Sequence, residues 1–146
     1  MWLSGRIQPR NVTVPFDLVT VTVPATANHL AVLRTAVGGF AARDQFTLDQ
    51  VDDLRMAVEE AAVQLLRHSR GDRISMDVET TDNGVEVRLT GNVADDDSVI
   101  DESSFSWTIL RALADAIRIE SNQGETVIVL SKNRLVLDDE ATGELP

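Results

Sequence analysis

The chain has no cysteine, only two histidines, and 13 basic residues set against 24 acidic ones. The missing cysteines exclude disulfides, thiolate nucleophiles and sulfur-ligated metals together. His29 and His68 stand far apart in sequence, so a histidine-built metal centre is not expected, although carboxylates remain able to hold a hard cation beside a nucleotide. A net charge of -11 disfavours wrapping nucleic-acid phosphates or settling on anionic lipid by charge alone. A basic protein partner suits it better. Long apolar runs are lacking as well: no segment approaches the roughly 20 residues of a membrane span. The opening Met1-Trp2-Leu3-Ser4-Gly5-Arg6 has no apolar signal-peptide core. A cytoplasmic location without a membrane partner is expected.

At 146 residues and 43% hydrophobic, the chain has enough apolar material for one core, and two domains would each be marginal. One domain over 15–134 is expected, after an extension at 1–14 and before an acidic tail at 135–146. Within the tail, Asp138 to Pro146 is poor in apolar residues and reads as disordered.

The most informative stretch is a helix expected from Thr47 to Ser69. Val51, Leu54, Val58, Ala61, Ala62, Leu65 and Leu66 recur at helical spacing and predict its buried face. Thr47 and Gln50 predict a capping box, Phe46 and Val51 a hydrophobic staple, and Gly71 the stop. Glu60, Gln64 and His68 follow at steps of four along one flank of the stripe. Such residues ordinarily form a solvated helix face, but the same spacing lets a carboxylate reach a pocket beside the core.

Elsewhere the period is two. Val19, Val21 and Val23 alternate in a strand closed by Pro24, and a helix from Asn28 to Arg43 carries Leu30, Leu33, Val37, Phe40 and Ala41 inward. Ile74, Met76 and Val78 alternate, Asp82-Asn83-Gly84 turns the chain, and Val85, Val87 and Leu89 alternate again, which predicts an antiparallel pair. Gly91 to Glu102 reads as a loop with Asp95, Asp96 and Asp97 in solvent. A third helix is expected from Ser104 to Ala116, presenting Phe105, Ile109, Leu113 and Ala116. Strands at Ile117–Ser121 and Thr126–Ser131, joined through Asn122-Gln123-Gly124, complete the set. This order predicts an α+β two-layer sandwich, a mostly antiparallel sheet covered on one face by three helices.

The series Pro24-Ala25, Leu33-Arg34, Leu54-x-x-Ala57-Val58-x-Glu60-Ala61, His68, Asp82-Asn83-Gly84, Leu113-Ala114-Asp115-Ala116-Ile117 and Gly124-Glu125-Thr126-Val127-Ile128-Val129-x-x-Lys132 resembles anti-sigma factors of the RsbW and SpoIIAB type. These are bacterial members of the GHKL ATPase superfamily. Ser103-Ser104-Phe105-Ser106-Trp107 is similar to the divergent actinobacterial branch. The resemblance implies a GHKL (Bergerat-like) fold and a homodimer that keeps an alternative sigma factor from RNA polymerase. It also implies release by an anti-anti-sigma protein of STAS fold, which active members phosphorylate on serine using ATP.

Transferred residue by residue, the resemblance places Glu60 as the general base toward a substrate serine. Gln64 stands where a magnesium-ligating asparagine is expected, one methylene too long for a demanding ion. Gly91 replaces the aspartate that would bind the adenine amino group, and Val93 replaces a glycine. Ser104 and Ser106 replace the glycines of a phosphate-binding Gly-x-Gly-Leu, where β-carbons, the Trp107 indole and Phe105 would crowd the phosphates. Catalysis is therefore expected to be degenerate and no cofactor is expected, with ATP and magnesium required only if the pocket works. The alternative is an active serine kinase with Glu60 as base. Arg34 falls on a first-helix arginine that contacts both partners in the family, a role suited to a planar fork of donors. Asp115 falls on a further recurring position. Arg34→Glu is expected to weaken partner binding, and truncation after Lys132 to leave stability nearly unchanged.

Overall fold

A computed structural model describes residues 17–93 and 100–135. The expected N-terminal extension, the Asp95 to Asp97 cluster and the tail beyond Leu135 lie outside the described residues. The chain runs β1 (Leu18–Pro24), α1 (Leu30–Ala42), α2 (Leu48–Arg67), β2 (Ser69–Thr80), β3 (Gly84–Val93), α3 (Phe105–Leu113), β4 (Ala116–Asn122) and β5 (Glu125–Asn133). The five strands form one sheet in the order β1-β2-β3-β5-β4, every neighbouring pair antiparallel.

Alternation along the strands decides which face is covered. Ile74, Met76, Val78, Val85, Val87, Leu89, Ile128 and Leu130 are buried on the inner face, against Leu54, Val58, Ala61 and Leu65 of α2 and Leu33 and Val37 of α1. Removing such large apolar side chains from water contributes about 1.5–3 kcal/mol each, so this layer is what holds the sandwich together. The outer face is polar, and on it Val129 is shielded by the neighbouring Arg88 and Arg118 across the β3 and β4 ladders. Arg118 donates to Glu120 at 2.6 Å and holds that carboxyl below the usual range.

The α2 start is as the residues predict. Thr47 Oγ1 accepts from the Gln50 amide and Gln50 Oε1 accepts from the Thr47 amide, both at 3.1 Å. Three boundaries differ from expectation. Gly71 does not stop α2; His68 is its C-cap, and Gly71 lies inside β2 at an irregular stretch between Ser69 and Ile74. Gly91 is in strand rather than loop, because β5 continues the pairing through Gly91↔Thr126 and Asn92↔Glu125. The third helix ends at Leu113, because Lys132 Nζ caps the Leu113 carbonyl at 2.8 Å and Asp115 N turns instead to Ser131 O at 2.8 Å. Leu110 is the fully buried anchor of this short helix, whereas Phe105 is 79% exposed and Ile109 and Leu113 are half-buried. Likewise β1 is an edge strand, so its inward stripe fades from buried Val23 to exposed Val19.

Candidate functional site

Successive residues of an α-helix diverge by about 100°, so the adjacent Glu59 and Glu60 leave α2 toward different neighbours. Glu59 meets α1, where Arg34 Nη1 donates to its Oε1 at 2.6 Å. Glu60 meets α3, where its Oε2 accepts a short hydrogen bond from Ser106 Oγ. One turn later, buried Gln64 donates from Nε2 to Ser106 Oγ at 2.8 Å and to the same Glu60 oxygen at 3.2 Å. Glu60 and Gln64 of the predicted flank thus come together with Ser106, whereas His68 falls at the C-cap of α2.

Ser106 reaches this position because Ser104 starts α3, its Oγ accepting from the Trp107 amide at 3.1 Å. Asp101 approaches the same helix start, and the Ser103 amide and hydroxyl hold its carboxyl below the ordinary aspartate value. A cleft of about 550 Å³ opens beside Glu60 and Gln64, with Arg67, Asp101 and Ser104 on its polar side and Ile100 and Phe105 among its apolar lining. Trp107 is half-buried against the core, and Phe105 stands out into solvent.

Gly91 lies on the inner side of β3, paired with Ile74 on β2 and buried Thr126 on β5. A β-carbon there would sit 3.6 Å from a Leu65 methyl, an ordinary contact, so the space does not demand glycine. Next along the same face is Val93, buried and apolar. Among the described residues no three His, Cys, Asp or Glu side chains gather closely enough to hold a metal ion. Asp115 Oδ2 accepts from the Asn133 amide at 2.6 Å, which ties the end of β5 to the α3–β4 link.

The sequence brought forward Glu60, Gln64, Ser104 and Ser106, and the fold gathers all four around one cleft. Gly91 is carried on β3, and Arg34 sits on a different flank of α2, by Glu59. Glu59 was missed, although its place directly before the ladder makes it the natural carboxylate for the α1 side. Gly38 and Arg55 were missed too: the Arg55 side chain lies across Gly38, and a β-carbon at Gly38 would be 2.8 Å from Arg55 Cδ.

With this geometry fixed, residues 23–132 match the family model described as a histidine kinase-like ATPase domain. The chain belongs to that family. Within it, the chain is 35% identical over 103 residues to the anti-sigma-F factor RsbW of Mycobacterium tuberculosis, covering 68% of this chain and 60% of the relative. It therefore spans about 60% of the length of that mycobacterial relative. The serine-protein kinase RsbW of Bacillus subtilis is 24% identical over 132 residues, covering 76% of this chain and 82% of that one. In fold, the chain is similar to the crystal structure of the RsbU and RsbW domains of Rv1364c from Mycobacterium tuberculosis, with a TM-score of 0.65 and 17% identity over 81% of this chain and 32% of that one. The RsbW-like histidine kinase-like ATPase domain is thus built on the α+β open sheet expected, and no described helix is long and apolar enough to cross a membrane.

Proposed function

We propose that the chain is an anti-sigma factor that sequesters an alternative sigma factor through its helical face and is released by a STAS-type anti-anti-sigma partner, with an ATP pocket that no longer works. The role is carried by the 35% likeness to a protein named anti-sigma-F factor. Binding rather than catalysis is favoured by one observation, the engagement of Glu60 by Ser106 and Gln64.

A general base needs its carboxylate within reach of the proton it removes. Here the Ser106 hydroxyl already donates to Glu60, and the Gln64 Nε2 donates to both. Gly91 offers no carboxylate for an adenine amino group, a contact worth roughly 1.5–3 kcal/mol when charged. Magnesium asks for octahedral oxygens at fixed distance. Gln64 turns its donor Nε2 rather than its oxygen toward Glu60 and Ser106, an orientation that does not serve magnesium.

Surface binding needs none of these groups. Arg34 is partly exposed beside α2 and is the residue we assign to partner contact. Because it pairs with Glu59, Arg34→Glu would set two carboxylates against each other inside the chain, so Arg34→Ala is the cleaner variant.

The test is a pull-down with the immobilised chain from the native cell extract, followed by titration with the purified sigma factor so recovered. Sigma-factor capture is expected, weakened in Arg34→Ala; recovery of a different class of client would refute the role. In parallel, ATP with magnesium is titrated against Trp107 emission in a Trp2→Phe background. No saturable change is expected. Tight ATP binding, with phosphate transfer to a STAS-domain protein that disappears in Glu60→Ala, would instead establish the kinase reading, which the intact Glu60 and the Bacillus relative's name support.

A further inference from the structure

Arg34 and Arg55 each reach across the contact between α1 and α2, Arg34 to Glu59 and Arg55 over Gly38. Arg34 comes from α1 and is tied through Nη1 to Glu59 at 2.6 Å; Arg55 comes from α2 and is tied through Nη1 to Asp52 at 3.5 Å. Their side chains are 36% and 42% exposed. Arg55 crosses α1 over Gly38, four residues and about 6 Å of helix rise from Arg34. A β-carbon at Gly38 would fall 2.8 Å from Arg55 Cδ and 3.1 Å from Cγ, so the flexible Arg55 side chain would have to move aside.

We propose that Arg34 and Arg55 form a two-guanidinium clamp for carboxylates of the protein partner. Gly38 acts as the notch that lays Arg55 in place, and Glu59 and Asp52 hold the two forks. A guanidinium carries five donors, and a single carboxylate tie leaves each group donors to spare. The carboxylates that hold the two forks, Asp52 and Glu59, stand seven residues or about 10.5 Å of helix rise apart, which suits two acidic side chains about two turns apart on a partner helix. The overall charge of -11 favours a basic partner, so the clamp singles out local acidic side chains on that partner. This inference rests on the reading of Arg34 as a partner contact and adds to it a second cation and a positioning residue.

The full-length chain is titrated with the purified sigma factor recovered in the pull-down, comparing wild type, Arg34→Ala, Arg55→Ala, Arg55→Lys and Gly38→Ala. Arg55→Ala should raise Kd roughly fivefold or more, and Arg55→Lys should recover part of the loss. Gly38→Ala is the sharper variant, because it displaces Arg55 while keeping every charge. Its Kd should rise as in Arg55→Ala while its Tm holds or rises, since alanine is the better helix former. A purely structural Gly38 would not part affinity from stability in this way. Wild-type affinity in both Arg55→Ala and Gly38→Ala, with Arg34→Ala weakened, would overturn the clamp and leave the role of Arg34 standing. If the wild-type chain captures no sigma factor, the underlying reading falls and the clamp with it.

Discussion

Ser106, which the resemblance sets on a phosphate-loop glycine, serves here as a hydrogen-bond partner of Glu60. A glycine at that place would leave Glu60 open to the cleft, whereas the serine hydroxyl donates to Glu60 and accepts from Gln64. Hydrogen bonds to charged groups contribute about 1.5–3 kcal/mol, and half-burial places this one toward the lower end. Ser106→Ala and Glu60→Ala are each expected to destabilise the fold by about 1–2 kcal/mol. The double variant should cost less than their sum, because both remove the same contact. Urea denaturation of the four proteins measures this coupling, and strict additivity would mean that the clasp holds nothing. Ser106 could be singled out from sequence as a replaced glycine, but not as a partner of Glu60. That requires knowing that α3 crosses the flank of α2 at its second residue, a contact 46 positions away.

Among the elements, those governed by local rules were legible and those governed by distant pairing were not. The α2 start could be read because a capping box lies within four residues, Thr47 to Gln50. The inner faces of β2 and β3 were equally plain, since alternation is a local signal. The end of α3 was not, because it is imposed by Lys132, 19 residues further on and buried on β5 where it reaches α2 and α3. Its ammonium donates to the Leu113 carbonyl at 2.8 Å and approaches Asp53 Oδ2 at 3.4 Å, so one side chain joins α2, α3 and β5. Lys132→Ala would strip the cap from Leu113 and leave Asp53 unpaired. A loss of about 2–3 kcal/mol is expected, below the cost of breaking a fully buried pair because Asp53 is 40% exposed. Amide exchange should quicken first in α3, whose single fully buried anchor is Leu110. A variant as stable as wild type would make the lysine a bystander. The reach of β3 to Val93 was hidden for the same reason, its last pairs being decided by β5.

At the scale of the whole molecule, the closing strand does more than complete the sheet, and this changes where the chain can be cut. Composition ends the domain at 134, and a cut after Lys132 is expected from it to leave stability nearly unchanged. The fold makes that cut costly. Gln50 Nε2 donates to the Asn133 carbonyl at 2.8 Å, and the Asn133 amide donates to Asp115 at 2.6 Å. Arg134 donates to Asp44 at 2.7 Å and to the Asp82 carbonyl at 3.0 Å, tying the C-terminal edge of the domain to the α1–α2 connection and to the β2–β3 turn. Both side chains of the Arg134–Asp44 pair are about three-quarters covered, so this link is screened less than an ordinary surface ion pair. Truncation after Lys132 is therefore expected to cost about 2 kcal/mol, from one charge-assisted pair and the bonds of Asn133. For a domain of this size that is a fall in Tm of very roughly 5–10 °C. Truncation after Leu135 keeps every one of these contacts and removes only an acidic, apolar-poor stretch, so its Tm should match that of the full chain. Thermal melts of the two truncated proteins beside the full-length one decide the matter. Equal stability for all three would leave the Arg134 ties without energetic weight.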